Sequence, residues 1–537
     1  MSKKVDGSIF MLLVLAAMGW MGCAQSESVR MRRSAESDLI PQHDDYELLE
    51  SAEVDQIQDH IRFEGGDQFE NVTPNPVKKV SEEPLSTFSV DVDTTSYAFV
   101  RRSLNDGLLP QKDAVRIEEL INYFNYDYPL PESAEHPFEP SVVVYPTPWN
   151  KHTKLLHIGI KGYDIIPAEK PKSNLVFLLD VSGSMDSPDK LPLLKNAFRL
   201  MVQNLQPEDT ISIVTYAGSA GTVLEPTKVK EKSKILSALE RLQSGGSTAG
   251  AQGIKQAYAL AEQSFDKNGV NRIILATDGD FNVGITNREE LKGFVERKRE
   301  SGIFLSVLGF GQGNYNDALM QALAQNGNGN AAYIDTLNEA RKVLVDEASS
   351  MLFPIAKDVK IQIEFNPGTV AEYRLIGYET RMLAREDFKD DKVDAGDIGS
   401  GHTVTAIYEI TLVGSKAQLI DDLRYQEEEE KKAASDSDEY AFLKLRYKAP
   451  EESDSKLIEM PIGRELERGN ISEASEDIRF AASAAAFGQI LKGNSYVGDF
   501  SYDDVIALAK DARGDDEFGY RSEFLNLVRL AKSASAM

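Results

Sequence analysis

Short apolar runs alternate with amphipathic stretches between residues 172 and 353. The apolar runs predict strands at 175–180, 211–217, 272–278, 303–311 and 331–335. The stretches between them predict helices, among them 191–205, 249–265 and 287–301. Strands that are apolar on both faces and are joined by helices are typical of a parallel sheet covered on both sides. We therefore predict a doubly wound, mostly parallel α/β domain over 172–353. The stretch "GTVLEPTKV" follows its neighbouring strand after a very short connection, so we expect it to be an antiparallel edge strand, a position that suits Pro226.

Strand-like runs also flank this domain, at 139–165 and at 357–450. A lone hairpin is marginally stable, so we expect the two groups to share one sandwich. The predicted fold class is multidomain α/β plus β: a doubly wound sheet inserted between the strands of a β-sandwich, with a helical C-terminal segment. The predicted organisation is a signal peptide (1–23), a polar tether (24–84), an N-terminal α+β region contributing sandwich strands (85–171), the α/β domain (172–353), further sandwich strands (354–460) and C-terminal helices (461–537).

The N-terminus predicts export. Two lysines precede the apolar run 9–21, which as a helix would rise roughly 20 Å, too short to span a bilayer. Cys23, the chain's single cysteine, follows directly, and "WMGC" resembles a bacterial lipoprotein processing site. The resemblance implies lipid attachment at Cys23, and Ala24 after it implies an outer-membrane destination facing the periplasm. The alternative is that Cys23 is a buried structural thiol.

The charge balance limits the partners. The chain carries 59 basic and 86 acidic residues, a net charge of −27. Such a chain repels phosphate backbones, so we expect no nucleic-acid partner. The balance favours divalent cations, basic surfaces or plain solubility, and we expect contact with a membrane only through the lipid anchor.

Oxygen-bearing side chains follow two of the predicted parallel strands. Asp180 ends one strand in "LVFLLDVSGSMD", with Ser182 and Ser184 after it, and Asp278 ends another. Thr248 lies in a Gly-rich loop that opens a helix. Ligands of such sheets bind beyond the carboxyl ends of the strands. A set of carboxylates and hydroxyls, without thiolate or imidazole, suits Mg²⁺ best, with Mn²⁺ or Ca²⁺ as alternatives.

The "DVSGSMD" stretch, Thr248 and the "TDGD" at a strand end resemble the metal-ion-dependent adhesion site (MIDAS) of von Willebrand factor type A (VWA) domains. The resemblance implies that Ser182, Ser184 and Thr248 contact the metal, while Asp180 and Asp278 act mainly through water. It also implies a protein partner whose Asp or Glu completes the metal shell. The whole chain, with "FSVDVDTTSYAFVRRSL" ahead of the domain, further resembles a family of bacterial lipoproteins built around a VWA domain.

The same motifs also have other structural and functional interpretations. The Asp180 stretch has the residue types of a helix cap and turn. The Asp91, Asp93 and Thr94 loop has the look of a phosphoryl-transfer loop, but we interpret Asp93 or Thr94 as the cap of the next helix. No histidine falls within 172–353, which leaves a serine hydrolase without its usual base. We expect a non-enzymatic, lipid-anchored, metal-dependent protein-binding module of the cell envelope. The alternatives are a metal-dependent hydrolase or phosphatase, and a structural envelope protein whose metal site steadies the fold.

Overall fold

The computed structural model describes residues 67, 69, 71–131, 133, 135–165, 170–246, 250–279, 288–313, 315–421, 438–493 and 495–537. Cys23, the predicted signal peptide and residues 24–66 of the predicted tether lie outside this part of the chain. No helix among the described residues combines the length and the apolar character needed to cross a membrane.

A six-stranded sheet forms the centre of the α/β domain. Its strands are β5 (Ser173–Asp180), β6 (Thr210–Tyr216), β7 (Ala220–Lys228), β8 (Val270–Thr277), β9 (Ile303–Phe310) and β10 (Ala331–Ile334). Their order in the sheet is β10-β9-β8-β5-β6-β7. All neighbouring pairs are parallel except β6 and β7, which are antiparallel. The predicted edge strand around Pro226 is therefore confirmed as β7.

Helices cover both faces of this sheet. They are α3 (Leu191–Asn204), α4 (Lys232–Glu240), α5 (Gly250–Gln263), α6 (Arg288–Glu300), α7 (Asp317–Asn326), α8 (Leu337–Arg341) and α9 (Ala348–Leu352), with a π-helical turn (Lys342–Asp346) between the last two. Alternate residues of β5 point to opposite faces. Phe177 packs against Phe198 of α3, and Leu178 lies in a second core with Tyr258 of α5. The doubly wound architecture is confirmed.

The N-terminal region adds a helix to the second face. It contains β1 (Lys78–Lys79), β2 (Leu85–Ser89), α1 (Thr95–Asn105), α2 (Ile117–Asn122), β3 (Ser141–Thr147) and β4 (Asn150–Lys161). Phe99 of α1 stacks on Tyr333 of β10 with ring centroids 4.2 Å apart. Because Phe99 is fully buried in the same core as β5 and α5, α1 completes the cover of the α/β sheet.

Two antiparallel sheets form the sandwich. Its C-terminal strands are β11 (Pro354–Phe365), β12 (Val370–Ile376), β13 (Gly396–Gly399), β14 (Thr403–Leu412), β15 (Glu439–Lys448) and β16 (Ser455–Gly463). The strand orders are β1-β12-β14-β4-β3 and β13-β11-β15-β16, and β2 also pairs with β11. Ile160 of β4 pairs with Val404 of β14, and both sheets contribute to one hydrophobic core. Strands from before and after the α/β domain thus share a sheet, which confirms the predicted insertion.

Three long helices end the chain: α10 (Glu476–Leu491), α11 (Tyr502–Asp511) and α12 (Tyr520–Ala534). They pack with α1 and α2 in a core that includes Phe124, Phe480 and Phe524. Short 3₁₀ turns lie at Lys112–Ala114, Gly183–Asp186, Val229–Glu231, Glu379–Arg381, Glu386–Phe388, Arg464–Leu466, Ile471–Glu473 and Ser495–Val497.

The interpretation that Asp93 or Thr94 starts the next helix is confirmed for Thr94 by position, but neither side chain caps the helix. Thr94 stands at the N-cap position of α1, but its side chain makes no capping hydrogen bond. Asp93 instead accepts hydrogen bonds from the backbone amide of Ala331 and from Nη2 of Arg381, both at 2.9 Å. The reason is burial, because a carboxylate removed from water needs a charged partner and hydrogen bonds more than the helix end does.

Candidate metal centre

Two carboxylates meet at one edge of the α/β sheet. Asp180 is the last residue of β5, and Asp278 directly follows β8, the parallel neighbour of β5. Both side chains are buried. The carboxyl ends of parallel strands lie at the same edge, so the strand pairing alone brings the two carboxylates together. Asp180 and Asp278 thus lie at the same sheet edge, as the sequence predicted.

The turn after β5 carries the two serines. The amide of Ser182 donates to Oδ1 of Asp180 at 2.8 Å, and the Oγ atoms of Ser182 and Ser184 lie 3.0 Å apart. The Gly-rich loop before α5 docks on this turn, since the amide of Gly183 donates to the carbonyl of Gly246 at 3.1 Å. Thr248, the fifth predicted ligand, lies outside the described residues, two positions beyond Gly246.

The pKa of Asp180 is set by its burial and by the groups around it. Burial raises the pKa of Asp180 to about 6, hydrogen bonds from Ser182 lower it, and the negative charge of Asp278 raises it. Oδ2 of Asp180 is buried and has no hydrogen bond of ordinary geometry among the described residues, although the hydroxyl of Tyr216 lies near enough to lower the same pKa. A buried carboxylate oxygen without such a bond, beside a second carboxylate, gains from a positive charge.

A lysine that the sequence analysis missed contributes such a charge. Nζ of Lys190 lies 2.9 Å from Oδ2 of Asp278, and Lys190 is almost completely buried. Lys190 directly precedes α3, in the short segment between the serine turn and the helix. The one hint in the sequence was a basic residue close to Asp180. Its partner Asp278 could not be predicted from that hint, because it is 88 residues away.

The donor set that the structure brings together suits a hard divalent cation. Asp180, Ser182, Ser184 and Asp278 offer carboxylate and hydroxyl oxygens at one sheet edge, the ligand chemistry of Mg²⁺. Among the described residues, no group of three or more His, Cys, Asp or Glu side chains could hold a metal ion. Two carboxylates and two hydroxyls, each giving one oxygen, are fewer than the six donors of an octahedral shell, so water or an oxygen of a partner could take a further position.

The sequence matches three known families. It matches the von Willebrand factor type A domain over residues 174–346, von Willebrand factor over 64–157, and the C-terminal domain described as "Uncharacterized protein YfbK, C-terminal" over 350–534. VWA domains typically mediate protein–protein interactions, often with a metal ion. The candidate metal centre thus lies inside the matched VWA domain.

Relatives and solved structures add to these matches. The chain is 47% identical to "Uncharacterized protein YfbK" of Escherichia coli, covering 88% of this chain and 82% of the relative. A solved von Willebrand factor type A protein from Catenulispora acidiphila shares 15% identity, 76% of this chain and 91% of that one, with a TM-score of 0.41. A structure of mussel byssus proximal thread matrix protein 1 with a zinc-occupied MIDAS motif shares 20% identity, 33% of this chain and 45% of that one, with a TM-score of 0.28. The 47% identity over most of both sequences shows that the chain belongs to the YfbK family, and the family match over 174–346 shows that it is built around a von Willebrand factor type A domain.

Proposed function

We propose that this chain is a cell-envelope lipoprotein that binds a protein partner through a divalent cation held by Asp180, Ser182, Ser184, Thr248 and Asp278. The observation that carries the proposal is the meeting of Asp180 and Asp278 beside the serine turn at one edge of the VWA sheet. The partner would present an Asp or Glu, whose carboxylate takes a coordination position that this chain leaves open.

Each residue has a distinct part in this proposal. Ser182 and Ser184 would offer hydroxyl oxygens, and the 3.0 Å between their Oγ atoms places both on one side of the turn. Asp180 and Asp278 would supply the negative charge that retains the cation. A bound Mg²⁺ would supply the attraction for an anionic oxygen that two buried carboxylates by themselves would repel. Mn²⁺ and Ca²⁺ suit the same oxygen donors.

An enzymatic role is the second candidate class, and the described site supports it less well. A hydrolase that activates Ser182 or Ser184 needs a general base within hydrogen-bond reach. Among the described residues, the Oγ atoms of these serines lie within hydrogen-bond distance of each other, the Ser182 amide donates to Asp180, and no hydrogen bond of either serine reaches a histidine. Asp180, whose pKa is raised, is the remaining candidate for a base, but in the proposed site its carboxylate serves to hold the metal. We therefore propose a binding role and no catalysis.

The anchor is a separate part of the proposal. Cys23 follows an apolar N-terminal run and stands in a lipoprotein-like "WMGC". A lipid on Cys23 would tether the VWA domain to the envelope, with the outer membrane as the expected site. Residues 24–66 would then separate the lipid from the described fold.

A capture experiment tests the binding function. Wild-type chain and the Asp180→Ala variant are incubated with envelope extract, in Mg²⁺ and in chelator, and retained proteins are identified. We expect at least one protein that is retained by the wild type in Mg²⁺ and lost with chelator or with Asp180→Ala. Asp186→Ala is the matched control, because Asp186 lies on the same turn but is exposed and bonds only Ser244 among its described partners. Mg²⁺-dependent turnover of a model phosphate or carboxylic ester that Asp180→Ala abolishes would instead support the hydrolase alternative.

A further inference from the structure

Lys190 reaches the candidate metal centre from the side of α3. Its Nζ donates to Oδ2 of Asp278 at 2.9 Å, and only 9% of its side chain is exposed. The Asp278 side chain is 0% exposed, so this ion pair is shielded from solvent on both sides. A buried pair of this kind is much less screened by water and salt than a surface pair.

The stem of Lys190 passes close to the backbone of Gly311. Gly311, just after β9, has a φ of +76°, and a Cβ built there would lie 2.2 Å from Cε and 2.3 Å from Cγ of Lys190. A side chain at position 311 would therefore collide with the lysine. Glycine suits position 311 for two reasons: the backbone there is left-handed, and the space that a side chain would need is taken by the stem of Lys190.

The charge at the site depends on this lysine. Asp180 and Asp278 bring two negative charges, and Lys190 brings one positive charge. With a divalent cation, these three side chains sum to a net charge of about +1, whereas without the lysine they would sum to zero. A site with a positive surplus attracts an anionic oxygen, and a neutral site does so less.

We propose that the positive charge of Lys190 lowers the affinity of this centre for a divalent cation. The same charge leaves the metal-loaded site with a net positive charge, which attracts the carboxylate of the partner. This inference rests on the proposed function, because it concerns the same metal centre. Lys190 would act on the metal through its ion pair with Asp278 and would not itself be a metal ligand. The metal would then bind firmly only when an anionic partner supplies the remaining negative charge.

Mn²⁺ titration of the full chain tests this role, with free Mn²⁺ measured by electron paramagnetic resonance. In Lys190→Met the stem is kept and the charge is removed, so we expect Mn²⁺ to bind about tenfold or more tightly than in the wild type. Lys190→Gln, which keeps a hydrogen-bond donor, should change in the same direction because the charge is the cause. Lys195→Met is the matched control: Lys195 lies on the same helix, but its Nζ donates to the carbonyls of Glu240 and Leu242.

A second measurement guards against misfolding of the lysine variants. Lys190→Met leaves the Asp278 carboxylate buried without its cation, so added Mn²⁺ should raise the melting temperature of this variant more than that of the wild type. Mn²⁺ affinity that is unchanged or lower in both lysine variants, while Asp180→Ala still abolishes binding, would overturn the role of Lys190 alone. Failure of the wild type and of Lys190→Met to bind Mn²⁺ would instead reject the metal centre and with it the proposed function.

Discussion

Nη2 of Arg101 lies 2.8 Å from Oε2 of Glu339, which joins α1 of the N-terminal region to α8 of the VWA domain. The same guanidinium also bonds Asp335, Tyr123 and Glu523 of α12. Arg101 is buried, so three regions that are distant in sequence share one desolvated cation. The VWA domain is thus held by the segments on both sides of it as well as by its own connections to the sandwich.

Replacing Arg101 should destabilise the whole chain. Arg101→Met would leave Asp335 and Glu339 buried without their cation, and breaking a buried ion pair from one side typically costs about 3–5 kcal/mol. Arg199→Met is the control, because its pair with Glu240 is exposed and should contribute about 1 kcal/mol or less. Urea unfolding followed by circular dichroism measures both. Equal losses in the two variants would contradict a central role for Arg101.

A buried glutamate should make stability depend on pH. Both carboxylate oxygens of Glu118 are buried and make no hydrogen bond of ordinary geometry among the described residues, although the backbone of Tyr378 lies near enough to lower the pKa. Burial raises the pKa of Glu118 to about 8, and the charges of Glu379 and Asp91 raise it as well. The folded chain therefore keeps this proton at pH values where the unfolded chain has lost it. Between about pH 4.5 and 8 this group lowers the free energy of unfolding as the pH rises.

Glu118→Gln should remove that part of the pH dependence. The amide mimics the neutral acid, so the variant should lose less stability than the wild type between pH 6 and pH 8.5. Denaturant unfolding at the two pH values measures the difference. Exposed Glu386→Gln is the control and should follow the wild type. A Glu118→Gln variant whose stability falls with pH as steeply as the wild type would show that Glu118 is ionised in the folded chain.

The sequence predicted the features that depend on local patterns. Doubly apolar runs such as 175–180 indicated a parallel sheet because each face of such a strand must be covered. Pro226 indicated an edge because proline has no amide hydrogen for a second neighbour. The convergence of Asp180 with Asp278 followed from the rule that parallel strands end at one edge.

Features that depend on distant partners could not be predicted in the same way. No local pattern shows that Phe99 of α1 covers the VWA sheet, that Asp93 pairs with Arg381, or that Lys190 reaches Asp278. Strand β16 (Ser455–Gly463) was also missed, since it is an edge strand with an irregular exposure pattern and Leu457 is 45% exposed. Its pairing with β15 becomes visible only in the sandwich.

Removing the carboxylate of Asp180 should abolish cation binding and leave the fold intact. Asp180 holds the serine turn by accepting a hydrogen bond from the amide of Ser182, but its buried charge is itself unfavourable, as the raised pKa indicates. We expect Asp180→Ala to lose Mn²⁺ binding in isothermal titration and to keep the wild-type circular dichroism spectrum. Global unfolding of the variant would show that the residue is structural instead.

Replacing Cys23 should release the chain from membranes. If Cys23 carries lipid, Cys23→Ser removes the acyl chains, and two or more such chains are what makes an anchor stable. We expect the wild type in the membrane fraction and the variant in the soluble fraction after cell disruption, with incorporation of labelled palmitate only into the wild type. Asp180→Ala is the control, because it alters the metal centre and should fractionate as the wild type does. A variant that stays in the membrane fraction would refute lipid anchoring through Cys23, while the metal centre would be unaffected by that result.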